Sequence, residues 1–402
     1  MSGRAPFDLR DSKIAAVGMD LQRSRAEVVL KDGRRLVAPI TASLPLKHPD
    51  RLAQVWLRDD LTVMHGVTIE GDIFTSELPV MAPGDPLRGR TVVYLDQKDW
   101  RTLRDFRMGD LATLAEAEVE AAQRLIAGVE ANEVVLPFSS GHLMETAAWG
   151  DQRRRYEVAL TMAQLTRGWQ LRDPLDVRIR EIRSALTHRS ARAVHDAGDV
   201  ITLSPNAAHV ARFEPYRAPI DWSPEQALAS EALVSLAAYY SVILDVEPTP
   251  RGQVQGWADR QQQFTDWLAT QELTKKLRDS AIDGFFLDDT ITEIARAAHG
   301  VGISLSQLRS WMELGAPRDI PRMPSLSLFR EVLRERHKNP TSTWRTNDLT
   351  DMAYLTCAAA YAGHVVAERH FTHHLQKAVE RTGTQVGVHR SISALMPALG
   401  WS

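Results

Sequence analysis

The chain has 402 residues, 44% hydrophobic and 25% charged, the balance of an ordinary globular protein with room for two or three domains. Its 48 basic and 51 acidic side chains leave a formal charge of −3, which excludes a polycationic protein and confines any nucleic-acid contact to local patches. A single cysteine, Cys357 in the apolar stretch YLTCAAAYA, excludes an internal disulfide and reads as a core thiol. The opening MSGRAPFDLRDSK lacks a basic-then-apolar signal pattern. The most apolar helical stretch, between Glu231 and Asp245, falls short of the ~18 uncharged residues of a membrane span. The expectation is a cytoplasmic protein with no membrane partner.

In chain order, residues 13–80 read as β-rich. RAEVVLKDGRRLVAPI predicts a hairpin around an Asp32-Gly33 turn, and LTVMHGVTIEGDIFTSEL adds shorter strands. MAPGDPLRGR, with two prolines and two glycines, marks a linker. TVVYLD then predicts a buried strand, followed by helix through LATLAEAEVEAAQRLIAGVEA, a second apolar strand EVVLPF, and one helix GHLMETAAWGDQRRRYEVALTMAQL capped by Ser139 or Ser140. Strands alternating with helices imply a parallel sheet. From about 170 to 345 the pattern is mainly helical: SPEQALASEALVSLAAYYSVIL, RQQQFTDWLATQELTKKLRDS, TITEIARAAHG, SLSQLRSWMEL and SLSLFREVLRERH. Helix DLTDMAYLTCAAAYA, strand HVVAE, helix RHFTHHLQKAVERT and strand TQVGV then restore α/β character. The expected organisation is an α/β core in two parts, 90–170 and 341–402, interrupted by a helical insertion at 171–340 and preceded by a small β-rich domain at 1–86.

Five carboxylates fall where these strands end or helices begin. Asp96 ends the first core strand, Glu145 lies in the first turns of the next helix, Asp348 and Asp351 open a helix, and Glu368 follows the strand HVVA. That rim is where open parallel sheets bind ligands. Singly, Asp348 suits a helix N-cap, Asp351 suits the helix dipole, and Glu145 and Glu368 suit solvated surfaces. Asp96 resists such an account, because Asp is depleted in strands and costly to bury unpaired. Carboxylates that converge repel one another and take up protons unless a cation intervenes; oxygen ligands suit Mg²⁺ or Mn²⁺. Such a cation polarises phosphoryl oxygens, so the set points to phosphodiester chemistry.

At these residues the chain resembles the PIN-like nuclease families, over roughly 90–170 and 320–402. VVYLDQKDW matches the first motif, FSSGHLMETAAW the second, and NDLTDMAYLTCAAAYAGHVVAERHF the third and fourth together. The resemblance implies a PIN fold with metal-dependent ribonuclease or, less often, deoxyribonuclease activity. Carried over by position, Asp96, Glu145 and Asp351 would ligate the metal. Glu368 would be a fourth ligand or would position water, and Asp348 would share the site or only cap its helix. The chain departs from the pattern at Lys98, where many members have Asn, at Ala367, where Thr is frequent, and at Glu368, where Asp is common. Lys98 would contact substrate phosphate or replace a cation in a degenerate site. More faintly, LKDGRRL and VMHGVTIEGDI resemble small β-rich domains of bacterial toxin–antitoxin-associated proteins, which implies a regulatory or recognition role for the N-terminal part.

Basic runs in DQRRRYEVAL, DVRIREIRSALTHRSARAVH and FREVLRERHK are candidates to hold a phosphate backbone; Arg153 and Arg154 stand in the first, and intrahelical pairs such as Arg178 with Glu181 are the competing account. His370, His373 and His374 lack the further ligands that zinc requires. Trp222, Trp257, Trp267, Trp311 and Trp344 read as helix packing rather than base-stacking platforms. The expected function is a Mg²⁺- or Mn²⁺-dependent endonuclease acting on RNA, with the insertion shaping a substrate groove or an oligomer interface. The competing expectations are a catalytically degenerate binding or regulatory protein and a DNA-cleaving toxin or defence effector.

Overall fold

The computed structural model describes residues 13–40, 51–58, 63–78, 87–189, 200–204, 206–209, 224–244 and 255–401. Strands β1 (Ile14–Asp20), β2 (Arg25–Leu30), β3 (Arg35–Pro39), β4 (Leu52–Arg58), β5 (Val63–Thr68) and β6 (Ile73–Glu77) form an antiparallel sheet in the order β3-β2-β1-β4-β5-β6. The expected hairpin joins β2 to β3. Gly33 takes a φ of +85°, which a side chain resists, and the Leu30 amide donates to the Arg34 carbonyl to close the turn.

The next elements are β7 (Thr91–Leu95), α1 (Gln97–Met108), α2 (Glu116–Glu130), β8 (Val134–Val135), α3 (Ser140–Ala147), α4 (Gln152–Thr166), β9 (Gln170–Leu171), α5 (Pro174–Arg189) and β10 (Ile201–Thr202). Helices α6 (Pro224–Leu244), α7 (Gln255–Thr270), α8 (Lys275–Asp289), α9 (Ile291–Val301), α10 (Leu305–Ser310), α11 (Ala316–Asp319), α12 (Pro324–Lys338) and α13 (Asp348–Tyr361) follow. The chain closes with β11 (His364–Val366), α14 (Arg369–Thr382), β12 (Gly387–His389) and α15 (Ile392–Leu395).

Strands β12-β11-β7-β8 lie side by side, all parallel. The sheet is apolar on both faces, which is why TVVYL carries no polar alternation. Val93, Leu95 and Val366 bury into one core with Trp100, Leu125 and Ile392; Val92, Tyr94 and Val365 bury into another with Phe329, Met352 and Leu375. Helices therefore cover both sides.

Three expectations need correction. The long helix predicted from Gly141 onward is two, α3 and α4, because the chain breaks around Gly150 and the Asp151 carboxylate accepts from the Arg154 amide (3.0 Å) to cap a new start. RQQQFTDWLATQELTKKLRDS likewise divides at Thr274, the N-cap of α8. The stretch 171–340 also does not pack as one body. From α6, Leu233, Tyr239, Tyr240 and Ile243 join the core that holds Val55 and Phe74 of the N-terminal sheet, with the Tyr240 and Phe74 ring centres 4.2 Å apart. By contrast, α5, α9 and α12 contribute Val177, Ile294 and Phe329 to the other core.

Arg178 and Glu181 form no solvated pair. Both are buried; Arg178 lies 3.7 Å from Glu293, while Glu181 accepts from the amides of Ser325 and Leu326 at the start of α12. Trp311 and Trp344 are buried as expected, Trp267 is 46% exposed, and Trp222 lies outside the described residues. Cys357 is buried and free. Among the described residues, no helix is long and apolar enough to cross a membrane.

Candidate active site

The parallel register sets the geometry. Leu95 pairs with Val366, and the ladder runs on past both strand ends: the Asp96 amide donates to the Val366 carbonyl (3.0 Å) and the Ala367 amide to the His389 carbonyl (3.0 Å). Asp96 then takes up two amides. Its Oδ1 accepts from Gln97 (2.8 Å), capping α1, and its Oδ2 accepts from Glu368 (3.3 Å). An aspartate ends this strand because it caps a helix and accepts an amide from the neighbouring strand's loop at the same time.

Helix α3 is fastened beside it by the residues that flank the acids. Ser139 caps α3 in a reciprocal box with His142, whose Nδ1 accepts the Ser139 amide (3.1 Å) while Nε2 donates to the Leu95 carbonyl (2.8 Å). Burial holds the His142 ring down to about 4, so it is neutral and these bonds fix its tautomer. Gln97 Nε2 donates to Thr146 Oγ1 (2.7 Å). Leu95 and Gln97 bracket Asp96, and His142 and Thr146 bracket Glu145, so these two bonds bring the two acids together. Helix α13 is tied in through the Tyr354 hydroxyl and Ser140 Oγ (2.7 Å), one turn from Asp351. Asp96, Glu145 and Asp351 line one small cavity with Tyr94, His142 and Tyr354.

The cavity's electrostatics follow from crowding. Burial, then the charges of Asp96, Glu145, Asp348 and Glu368, push Asp351 up to about 8. Burial also raises Asp96, helped by Glu368 and opposed by the Gln97 amide. Asp99, one turn into α1, is buried and raised well above the usual carboxylate range by burial and then by Asp96. Sequence reading missed Asp99; its three-residue spacing from Asp96 on one helical face was the available signal.

Asp348 corrects the expectation of an N-cap. Asn347 holds that position without a side-chain cap bond. Asp348 is the first helical residue, and its Oδ2 accepts from Arg336 Nη2 (2.7 Å) and from the Arg345 amide (2.7 Å). Asp348, Asp351 and His370 nevertheless offer ligand atoms within 4.8 Å of one another, a group that could hold a metal ion. His370 Nδ1 also lies 3.4 Å from Glu368, an exposed residue at the start of α14. The donors around Asp351 are mostly carboxylate oxygens whose repulsion a cation would relieve, so the residues fit a hard divalent ion.

Of the residues expected to bind substrate, Lys98 is exposed on α1 and its charge acts on Asp99. Arg154 is exposed; Arg153 is exposed but donates to Glu157 (2.8 Å). Arg101 stacks over the Trp149 ring at 4.7 Å, just past the end of α3. Compared with known protein families, curated proteins and solved structures, the chain shows no match.

Proposed function

We propose that the chain is a PIN-like endonuclease that hydrolyses phosphodiester bonds, preferably in RNA, with Mg²⁺ or Mn²⁺ held at the strand ends. The observation that carries this reading is that Asp96, Glu145 and Asp351, from three separate elements, line a single cavity. Asp96, Glu145 and Asp351 would hold the ion, with Asp348, Glu368 and His370 at its margin. A divalent cation bound there supplies charge neutralisation and Lewis acidity toward a phosphoryl oxygen.

The remaining work falls to the chain itself. Two amides hold Asp96, and the Tyr354–Ser140 and Gln97–Thr146 bonds hold the helices that carry the other acids, before substrate arrives, so little reorganisation accompanies reaction. Glu368, exposed and bonded through its amide to Asp96, would orient water or accept its proton. Lys98 and Arg101, exposed in the first turns of the helix that Asp96 caps, would offer cationic positions for the phosphate backbone, with the exposed Arg154 a further candidate.

Asp96→Asn should lower Mn²⁺-dependent cleavage by at least about 10²-fold in a screen of RNA, single-stranded and duplex DNA, with the fold intact by circular dichroism. Unchanged cleavage would remove the mechanism. A second reading, a degenerate binding or regulatory protein, is favoured by Lys98 acting on Asp99. Thermal melting separates the two: a cation-binding pocket gains about 2.7 kcal/mol at a hundredfold excess of Mn²⁺ over its dissociation constant, whereas a lysine-neutralised one gains nothing.

A further inference from the structure

Two histidines, one on the edge strand β12 and one on its neighbour β11, meet on one face of the parallel sheet. His364 opens β11 opposite Gly387 of β12, and Val366 pairs with His389, so His364, Gly387 and His389 share a face. His364 Nδ1 and His389 Nε2 lie 3.1 Å apart, and both rings are partly exposed. Gly387 makes the meeting possible: a Cβ there would stand 2.4 Å from His364 Nδ1 and 2.7 Å from His389 Nε2.

Of the two facing nitrogens, one donates and the other accepts, so in the neutral pair one lone pair lies between the rings. Two nitrogens each ~2.0–2.1 Å from a shared ion lie roughly 2.9–3.4 Å apart, a range that includes the observed separation.

We propose that His364 and His389 form a two-imidazole site for a borderline divalent transition-metal ion, of the Zn²⁺ or Cu²⁺ class, at the edge of the sheet and apart from the carboxylate cavity. Imidazole nitrogen selects such ions over Mg²⁺, to which the oxygen donors at the rim are suited. On binding, the proton shared between the facing nitrogens shifts to the far nitrogen of the ring that carries it, so each ring stays neutral and both facing lone pairs go to the ion. Water completes the coordination. The site lies between β11 and the edge strand β12, neither histidine lines the carboxylate cavity, and it does not depend on the nuclease reading.

The test is electron paramagnetic resonance of the full chain with one equivalent of Cu²⁺ at neutral pH. The expected spectrum carries hyperfine structure from two imidazole nitrogens. His364→Gln and His389→Gln should each remove it and weaken Cu²⁺ binding by at least about tenfold. Asp351→Asn should leave it unchanged. Gly387→Ala, which retains both rings but fills the space between them, should weaken binding as well, and so covers a glutamine variant that fails to fold. No stoichiometric binding, a spectrum unchanged in the folded His variants, or one that disappears instead with His370, His373 and His374 replaced by Gln, would overturn the proposal.

Discussion

The helical half and the strand-end rim treat carboxylates in opposite ways. Among the helices, acids are matched: Glu331 with Arg330 (2.9 Å), Asp283 with Arg334 (3.0 Å), Glu335 with Lys377 (2.5 Å). At the rim, Asp96, Glu145 and Asp351 converge with Asp99 buried close to Asp96, and burial with like-charge repulsion raises the proton affinity of Asp96, Asp99 and Asp351. Matched pairs are explained by packing. A crowd of like charges costs stability, and its arrangement makes sense when something positive joins it. Asp348 belongs to both regions, since it accepts from Arg336 and also stands within ligand distance of Asp351.

The largest test of that contrast removes the cation at the border. Arg336→Met leaves Asp348 buried without its partner and should cost about 3–5 kcal/mol in denaturant unfolding. A cost under about 1 kcal/mol would mean the pairing is not structural.

A smaller effect concerns pH. The folded chain keeps the Asp351 proton up to about 8, while the unfolded chain releases it near 3.8. Between those values the folded state binds more protons, so its stabilising contribution is complete below the lower value, declines as pH rises and levels off above the upper one. Without divalent ions, wild type should therefore lose stability relative to Asp351→Asn as pH rises across this window. Parallel curves would remove the crowding argument.

The smallest effect belongs to an exposed arginine. Arg153→Ala should change stability by no more than about 0.5 kcal/mol, because its partnership with Glu157 is mostly solvated on the arginine side. If the same substitution lowers affinity for a polyanion, Arg153 acts on substrate rather than on the fold.

Much of the sheet was legible because local rules and burial agree there. TVVYL is apolar on alternate faces that both become buried, Ser139 stands where a cap is needed, and Asp32-Gly33 supplies the turn. The rim acids were legible by the same logic, as carboxylates at predicted strand ends. Asp99 was not, since an acid in the first turn of a helix ordinarily suits the dipole and faces water. Arg334 and Asp283 are 51 residues apart, so a basic run that suggests a phosphate site is consumed by acids that only tertiary structure brings near. The His364–His389 contact depends on strand register, which the pattern of short apolar strands leaves open.

The seating of α6 on the N-terminal sheet has a consequence for anyone shortening this gene. The sheet's inner surface is completed by a helix encoded more than a hundred codons downstream, so deleting the leading strands would strip cover from Leu233, Tyr239, Tyr240 and Ile243. A fragment starting near Leu87 would carry a bare greasy flank and would aggregate during expression. The two parts are better handled as one piece.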